Sequence, residues 1–461
     1  MTLNRRRRSP SDDRELRLWR VGRALAVTFI VAVLAAGSVF YGLVYLLDFQ
    51  EIDTTKKLDA KTLFDLVKLS FGVVAGAGAL VALVVAYRRQ RVDEAGAHRE
   101  ATRLHTERFS QAVEQLGSDS PAVRLGGVHA LAGLADDAPD DGLRQTCIDV
   151  LCAYLQLPFT PDPGNDPAHQ EEHHRYLALQ KVRHTILRLI GDHYRRPRDT
   201  YRSWQGCDLD LTGVTIDGEM DFGGATFSDG RVSFSGATFP CGRVSFRWAK
   251  FTGGMVDFNG ALFAGGEVSF DHATSSDLAV SFKHATFSSG KVSFVSATVS
   301  SDGGARFQHA TFSGGTVDFH GAHFFGGEVD FYGAYFSGGE VSFEGAYFAP
   351  SGHRTYPAKV IFRRATFSGG RMSFDRDGVR PVVFSDCVLD FYGASFSAGE
   401  VSFRDADFSS STVSFEHATF SGGTVTFERA AGPTPDGLLS AVGVPAVTGV
   451  TLPPAWLVSN P

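Results

Sequence analysis

The sequence predicts two membrane-spanning helices, then a small helical region, and then a long all-β solenoid. Three observations lead to this fold class. Two stretches without a charged residue lie near the N-terminus, apolar residues at helical spacing follow them, and a short Phe-rich phrase then recurs almost to the C-terminus. The predicted segments are a basic cytoplasmic tail 1–23, a transmembrane helix 24–47, a short external connector 48–68, a transmembrane helix 69–87, a helical adaptor 88–200, a β-solenoid 201–430 and a Pro-rich C-terminal tail 431–461.

The two uncharged stretches are the basis for the membrane prediction. They contain 24 and 19 residues, and a helix of about 20 apolar residues spans a bilayer. Arginines flank the outer ends of both stretches, and positively charged flanks stay on the cytoplasmic side. We therefore expect a two-pass protein of the cell membrane with both termini in the cytoplasm. The flanking residues are Arg20, Arg23, Arg88, Arg89 and Arg91.

Gly72 and Gly76 form a GxxxG pattern inside the second uncharged stretch. Small residues four apart let two helices approach closely. The pattern leaves two partners open, which are the other predicted span and a second copy of the chain in a homodimer.

The region 88–200 has the apolar spacing of several helices. Phe109, Ala112 and Leu116 share one stripe, and Pro121 follows Ser120 as a first helical residue follows its cap. The phrase PAVRLGGVHALAGLA, which starts at Pro121, is similar to a HEAT-repeat helix. The sequence therefore predicts a small α-helical, HEAT-like region between the spans and the solenoid.

Phenylalanine sets the period of the solenoid. Phe222, Phe234 and Phe246 are twelve residues apart, and the spacing resumes after one extra residue before Phe307. A short fixed period is typical of a solenoid, in which each unit buries its apolar face against its neighbours. The residues expected to point inward are Phe222, Phe234, Phe246, Phe258, Phe270, Phe282, Phe294, Phe307, Phe319, Phe331, Phe343, Phe362, Phe374, Phe391, Phe403, Phe415 and Phe427.

One unit reads VDFNGALFAGGE at 256–267. It contains two five-residue blocks, and each block places an apolar residue two positions before a large one, so that both face the same side of a strand. Glycine two positions after the large residue suits a corner, because glycine adopts positive φ without steric cost. The unit therefore predicts two short sides, two corners and a two-residue bulge.

This pattern resembles the pentapeptide-repeat family, and the order of segments is similar to a bacterial membrane-anchored group of that family. The resemblance implies a right-handed quadrilateral β-helix with four blocks per turn. The extra pair of residues after every second block departs from the family pattern, and it predicts about 24 residues per turn instead of about 20. A coil that closed after each twelve residues would be too narrow for a Val, an Ala and two Phe side chains.

Several features of the solenoid leave two interpretations open. Insertions at 349–359 and 375–381 are either contact loops or merely tolerated. The tail 431–461 either caps the open end of the coil or is disordered. His284 and His309 occupy the same corner position about one turn apart, so that they either stack or simply face water.

The sequence contains no nucleophile, phosphate-loop or metal motif of sufficient specificity, and we expect neither enzymatic activity nor a cofactor. The leading hypothesis is a membrane-anchored scaffold whose cytoplasmic solenoid serves protein–protein interaction with an unknown partner. The candidate interaction surface consists of acidic residues at the bulges and on the strands: Glu267, Glu328, Glu340, Glu400, Asp257, Asp318 and Asp330.

Two alternative functions remain. Some pentapeptide-repeat proteins mimic DNA and bind type II topoisomerases, and such a mimic needs a dense acidic stripe. Residues 206–430 contain 25 acidic and 16 basic residues, a net charge of −9, and the basic residues interrupt the stripe. We do not expect direct binding of nucleic acid. The second alternative is a membrane sensor or signalling protein that uses the connector 48–68.

Overall fold

The computed structural model divides the chain into two compact units, residues 1–103 and residues 104–461. The residues that the structure describes are helical positions 26–27, 29–31, 33–34 and 37–38, and then 60–159, 162–164, 166–198, 200–276, 279–300, 304–350, 357–378, 380–443 and 445–457.

A single long helix, α1 (Ala60–Leu116), contains the second uncharged stretch. The helix has 57 residues and continues through Arg88, Arg89 and Arg91 without a break. Where the structure describes the chain, none of its helices combines the length and the apolar character that crossing a bilayer requires.

This finding corrects the membrane predictions. The two transmembrane helices at 24–47 and 69–87, and with them the two-pass placement in the cell membrane, are wrong. The physical reason is visible in α1, where the uncharged stretch is one part of a longer helix with charged residues on both sides and so forms no separate element. Arg20, Arg23 and most of 24–59 lie outside the described residues.

The GxxxG pattern lies on the exposed surface of α1. A Cβ added at Gly72 or Gly76 meets no described atom within 4 Å outside the helix's own nearby backbone. The homodimer through these glycines stays a prediction.

A small helical bundle begins the second unit. It is formed by the end of α1 and by α2 (Pro121–Asp136), α3 (Asp141–Gln156) and α4 (Gln170–Tyr194), with a 3-10 turn Pro167–His169 before α4. The backbone N–H of Leu143 donates to the Asp140 side chain at 2.8 Å, which caps α3. At Gly127 the backbones of α2 and α1 meet so closely that an added Cβ would lie 2.8 Å from the carbonyl oxygen of Ala112. The helical region is therefore present, and its likeness to HEAT repeats stays a prediction.

A β-solenoid follows the bundle, and each of its turns has four walls. In one turn the chain passes through β4 (Arg231–Ser233), β5 (Thr238–Phe239), β6 (Arg243–Ser245) and β7 (Lys250–Phe251), and β8 (Met255–Asp257) then pairs in parallel with β4. Val256 lies beside Val232, 24 residues earlier. The predicted turn of about 24 residues is confirmed, and the solenoid has about ten turns.

The strands fall into four walls, numbered in chain order from β4. Wall 1 contains β1 (Leu209–Asp210), β4, β8, β11 (Ala279–Ser281), β14 (Gly304–Arg306), β17 (Glu328–Asp330), β20 (Lys359–Ile361) and the second halves of β22 (Val383–Asp390) and β24 (Asp407–Ser414). Wall 2 contains β5, the first halves of β9 (Leu262–Ser269), β12 (Thr286–Ser293), β15 (Thr311–Asp318), β18 (Tyr335–Ser342), β21 (Thr366–Ser373) and β23 (Ser395–Ser402), and β25 (Thr419–Phe420).

The other two walls complete each turn. Wall 3 contains β2 (Glu219–Asp221), β6, the second halves of β9, β12, β15, β18, β21 and β23, then β26 (Thr424–Thr426) and β27 (Val450–Thr451). Wall 4 contains β3 (Thr226–Phe227), β7, β10 (Thr274–Ser275), β13 (Thr298–Ser300), β16 (His323–Phe325), β19 (Tyr347–Ala349) and the first halves of β22 and β24. Walls 1 and 4 form a 15-stranded sheet, and walls 2 and 3 form a 12-stranded sheet.

Stacked phenylalanine rings fill the interior. All seventeen Phe residues expected to point inward are buried, with Phe294 the most exposed at 6%. Rings one turn apart lie nearly parallel, as between Phe258 and Phe282, where the centroids are 5.0 Å apart. Rings that follow opposite walls meet edge to face across the interior, as Phe258 after wall 1 and Phe270 after wall 3 do. The core therefore consists of aromatic columns that run along the solenoid.

Two kinds of corner connect the walls. After walls 1 and 3 the chain makes a tight turn, in which Ala261 N–H donates to the Phe258 carbonyl at 3.1 Å and Gly260 has φ +67°. After wall 2 the chain continues through a two-residue bulge, where the strand register shifts. There a Cβ added at Gly290 would lie 2.4 Å from the Gly266 carbonyl oxygen. Glycine is required at this bulge because successive turns touch backbone to backbone.

Both ends of the solenoid are covered. At the first turn, Tyr194 of α4 packs edge-on against Phe222, with ring centroids 5.5 Å apart. At the last turn, α5 (Leu438–Val442) and α6 (Pro454–Leu457) cover the core. Trp456 of α6 lies 5.5 Å from Phe427 and donates its Nε1–H to the Gly432 carbonyl at 2.9 Å. The described part of the C-terminal tail is thus a cap.

Candidate interaction surface of the solenoid

The three predicted aspartates of the acidic surface cap corners. Asp257 and Asp330 are only 4% and 5% exposed, and Asp318 is half-buried. Each carboxylate accepts a hydrogen bond from the backbone N–H two residues further on, which stabilises the tight turn. The donor N–H groups and distances are Asn259 to Asp257 at 2.8 Å, His320 to Asp318 at 3.0 Å and Tyr332 to Asp330 at 2.8 Å.

The four predicted glutamates stand beside basic side chains of adjacent turns. Arg243 lies 3.1 Å from Glu267, and Arg371 lies 3.9 Å from Glu400. Glu340 and Glu328 are half-buried, and strand register places them next to Arg371 and Lys359. The acidic residues thus alternate with cations and form no continuous negative stripe.

A different surface feature runs along the corner between walls 1 and 2. Six consecutive turns place an aromatic or cationic side chain at this corner, and most of these side chains are exposed. We name this set the aromatic edge, and it consists of His284, His309, Tyr332, Arg363, Arg364, Tyr392 and His417.

The members of the aromatic edge contact one another from turn to turn. The rings of His284 and His309 stack with centroids 5.2 Å apart, and Tyr332 meets His309 edge-on at 5.5 Å. The Arg364 Nη1–H donates to the Tyr332 hydroxyl at 3.4 Å. Further along, Tyr392 lies 5.0 Å from His417. Of the two alternatives that the sequence left open, the histidines stack, and their contact belongs to a longer row.

Arg363 joins the two halves of the row. Its guanidinium lies 5.8 Å from the centre of the Tyr392 ring, and its Nε–H donates to Asp390 at 2.5 Å. That hydrogen bond raises the pKa of Arg363. The guanidinium is therefore held in a fixed orientation on the surface.

The aromatic edge lies at tight turns whose backbone has positive φ. His284, His309, Arg364 and His417 have φ of 58°, 59°, 55° and 57° at a corner position where other turns have glycine. A side chain larger than glycine is unfavourable in this region by about 1–2 kcal/mol. Trp248, His272, Ser296, Asp405 and Arg429 also have positive φ at the opposite corner, so this strain belongs to the tight turns and does not by itself mark a contact surface.

The opposite corner, between walls 3 and 4, holds a second exposed aromatic pair. Trp248 is 60% exposed, and its ring stacks on His272 with centroids 4.1 Å apart. Both residues have positive φ, at 61° and 57°. This pair spans two turns, whereas the aromatic edge spans six.

The two insertions flank one cluster on wall 4. His323 and Tyr347 are half-buried there, with ring centroids 5.9 Å apart. Burial lowers the pKa of His323, and nearby Arg380 from the second insertion lowers it further. Asp377, from the same insertion, lies 3.7 Å from His320. Residues 351–356 of the first insertion lie outside the described residues.

Chemistry-bearing side chains are otherwise dispersed. Among the residues that the structure describes, no three His, Cys, Asp or Glu side chains are grouped as ligands of a metal ion. The five cysteines are free thiols, and burial raises the pKa of Cys387 to about 12. This thiol is therefore held in its neutral form as a core residue.

The sequence interpretation missed the aromatic edge because it concentrated on charge. The available signal was the corner position itself, where His, Arg or Tyr replaces the expected Gly or polar residue in six consecutive turns. The interpretation also missed the serine of the FSGG phrase. The Ser337 hydroxyl donates to the Phe312 carbonyl one turn earlier at 3.4 Å, and Ser288, Ser368 and Ser397 repeat this contact.

Comparison with known proteins gives no relative for this chain: no family model matches it, and no curated protein or solved structure does either.

Proposed function

We propose that this protein is a non-enzymatic scaffold whose β-solenoid binds a partner protein along the aromatic edge. The observation that carries the proposal is the row of mostly exposed aromatic and cationic side chains that contact one another along six consecutive turns. Strands in neighbouring turns are about 4.8 Å apart, so the row extends over roughly 24 Å. This length matches a protein contact better than a small-molecule site.

The chemistry of the row supports a protein partner. Tyr and Arg are enriched where interfaces gain most of their binding free energy, because both combine a large apolar surface with hydrogen-bonding groups. The stacking also fixes the side chains before binding, which reduces the entropy lost on association. The aromatic core below keeps the surface rigid.

We further assign the solenoid to the pentapeptide-repeat type. The support is a turn of about 24 residues with four walls, in which Val-x-Phe and Ala-x-Phe blocks alternate. The extra residues lie in the bulges, as after wall 2 at Gly290. A right-handed quadrilateral coil is expected from this assignment.

The arrangement of charge disfavours the alternative of a DNA mimic that binds a type II topoisomerase. A mimic needs uninterrupted acidic residues at phosphate spacing. Here acidic residues pair with basic ones of the same or a neighbouring turn, as Asp405 does with Arg429 at 2.6 Å and Asp318 with Lys291 at 3.6 Å. The sensor alternative depends on 48–68, most of which lies outside the described residues.

The test compares capture of partners by the full chain and by two variants in the native cell. The edge variant carries Tyr332→Ala and Tyr392→Ala. The control carries Tyr335→Ala, which removes a tyrosine that is 56% exposed on wall 2. We expect a protein that is captured by the wild type and the control and lost with the edge variant, and that binds the purified chain directly.

Two results would contradict the proposal. One is equal capture of every recovered protein by the edge variant and the wild type, with both variants folded as judged by circular dichroism. The other is loss of binding in the control variant to the same extent, because the contact would then lie on wall 2.

A further inference from the structure

A small cavity lies within the helical bundle, away from the aromatic edge. Its volume is about 90 Å³, and it is lined by residues of α2, α3, α4 and the segment after α3. The lining residues are Arg124, Tyr154, Leu157, Pro158, Phe159, Leu179 and Arg183. The described lining thus holds two guanidinium groups and a phenol among apolar side chains, without a carboxylate.

Arg183 is the unusual member of this lining. It is 4% exposed, and its Nε has no hydrogen-bond acceptor among the described residues. Its other two nitrogens donate to backbone carbonyls, Nη1 to Leu155 at 2.8 Å and Nη2 to Thr215 at 3.1 Å. Neutral carbonyls hold the guanidinium in place, and no carboxylate among the described residues forms an ion pair with it.

The surroundings of Arg183 are mainly apolar. The guanidinium carbon lies 4.8 Å from the centre of the Phe159 ring, which covers one face of the group. Burial is the main cause that lowers the pKa of Arg183, and nearby Asp217 raises it in part. Asp217 itself accepts hydrogen bonds from Gln180 at 3.0 Å and lies 3.2 Å from His184. An arginine nevertheless stays protonated in proteins.

Arg124 and Tyr154 add hydrogen-bonding groups from the other side. Arg124 Nη1–H donates to the Tyr154 hydroxyl at 3.1 Å, and its Nε–H donates to the Ser118 carbonyl. The second guanidinium is therefore also oriented by neutral partners. Two arginines held by neutral groups at one small cavity are the arrangement that proteins use for oxyanions, because guanidinium N–H groups match their oxygens.

We propose that this cavity binds a single small oxyanion, a phosphate or a carboxylate group, between Arg183 and Arg124. The volume suits one such group and not a drug-sized ligand, whose sites measure about 300–1,000 Å³. Since Arg183 also contacts Thr215, at the beginning of the solenoid, a bound oxyanion connects the bundle to the first turn. The site is independent of the aromatic edge.

The test uses the full chain and measures binding of sodium phosphate and of sodium acetate by calorimetry and thermal unfolding, against sodium chloride at equal ionic strength. We expect saturable binding of at least one oxyanion and a rise in melting temperature of roughly 2–4 °C at a tenfold excess over Kd. Binding of phosphate alone identifies a phosphate site, and binding of acetate alone identifies a carboxylate site.

Variants locate the site. Arg124→Gln weakens binding at least tenfold, and Arg183→Lys, which keeps a charge but lacks Nε, abolishes it. Arg188→Gln is the control, because Arg188 lines a different cavity on α4 beside Asp192. If Arg183→Lys does not fold, Arg124→Gln alone decides. Chloride that stabilises as much as both oxyanions, or an Arg124→Gln variant that binds like the wild type, overturns the proposal.

Discussion

The two sheets of the solenoid differ in regularity. In the 12-stranded sheet, wall 2 has phenylalanine in the second block of eight successive turns, from Phe239 to Phe420. In the 15-stranded sheet, wall 4 interrupts the same column with Ser275 and Val299. The first insertion also falls in this sheet, between β19 and β20. The phenylalanine column of wall 2 is therefore unbroken, whereas wall 4 accepts smaller residues in the equivalent column.

The largest effect expected from this difference concerns the core. Phe312 of wall 2 stacks between Phe287 at 4.8 Å and Phe336 at 4.7 Å, and Phe312→Ala should lower the free energy of unfolding by about 3–5 kcal/mol. Val299→Ala in wall 4 removes fewer buried carbons and should cost roughly 2 kcal/mol. Urea unfolding of both variants measures the difference. Equal losses of unfolding free energy would show that the core residues of the two sheets contribute equally to stability.

The second effect concerns the corners. Gly290→Ala, between walls 2 and 3, places a Cβ 2.4 Å from the Gly266 carbonyl oxygen at a residue with φ +81°, and should cost about 2–4 kcal/mol. Ser411→Ala, at the corresponding corner between walls 4 and 1, only removes a hydroxyl that donates to Phe408 at 3.2 Å. We expect its cost to stay near 1 kcal/mol. Thermal unfolding checks both, and a harmless Gly290→Ala would contradict the close packing of the bulges.

A third, smaller contrast concerns acidic residues of the two sheets. Asp257 on wall 1 is 4% exposed and caps a corner, so Asp257→Ala should cost about 1–3 kcal/mol. Glu267 on wall 3 forms an exposed ion pair with Arg243, and Glu267→Gln should change stability by less than about 1 kcal/mol. Asp257 also pairs with Arg231 at 3.3 Å, so adding 1 M salt should reduce both effects but remove a larger share of the second. A larger loss of stability from Glu267→Gln would show that this residue has a structural role.

The smallest effect is a pH dependence in wall 4. Because burial lowers the pKa of His323 below its ordinary 6.5, the unfolded chain binds a proton there at higher pH than the folded chain. Stability should therefore fall as the pH drops through about 6.5 and continue to fall until the folded-state pKa is passed. His323→Gln should remove part of this loss between pH 8 and pH 5. The control Thr311→Gln, at the equivalent position of wall 2, should keep it.

Much of the solenoid was predictable because period and side-chain size fix it. Phe222 to Phe427 recur at a spacing that requires two units per turn, and the structure has that turn length. The membrane prediction failed because a run of uncharged residues does not show where a helix begins, and α1 begins at Ala60 and continues past Arg91. The acidic surface remains untested as a contact site, although Asp257 shows that a polar residue in a repeat also has a structural role that charge alone does not reveal.

The aromatic edge was recognised only in part, at His284 and His309, because most of its contacts connect residues about 24 positions apart or more. His309 and Tyr332 meet across one turn, while Arg364 and Tyr332 are separated by an insertion that shifts the count. The oxyanion cavity is even harder to predict from the sequence, because Arg124 and Arg183 belong to different helices. Neither residue stands out by local pattern.

Tyr194 and Trp456 have a consequence for how the length of this protein is determined. Each of these rings rests on an opening lined by phenylalanine, and every turn presents such an opening. The rings that Tyr194 and Trp456 contact, Phe222 and Phe427, are the same kind of core residue that recurs along the whole solenoid. We therefore expect the number of repeat units to set the length of the solenoid. Units could then be gained or lost while the two caps stay the same.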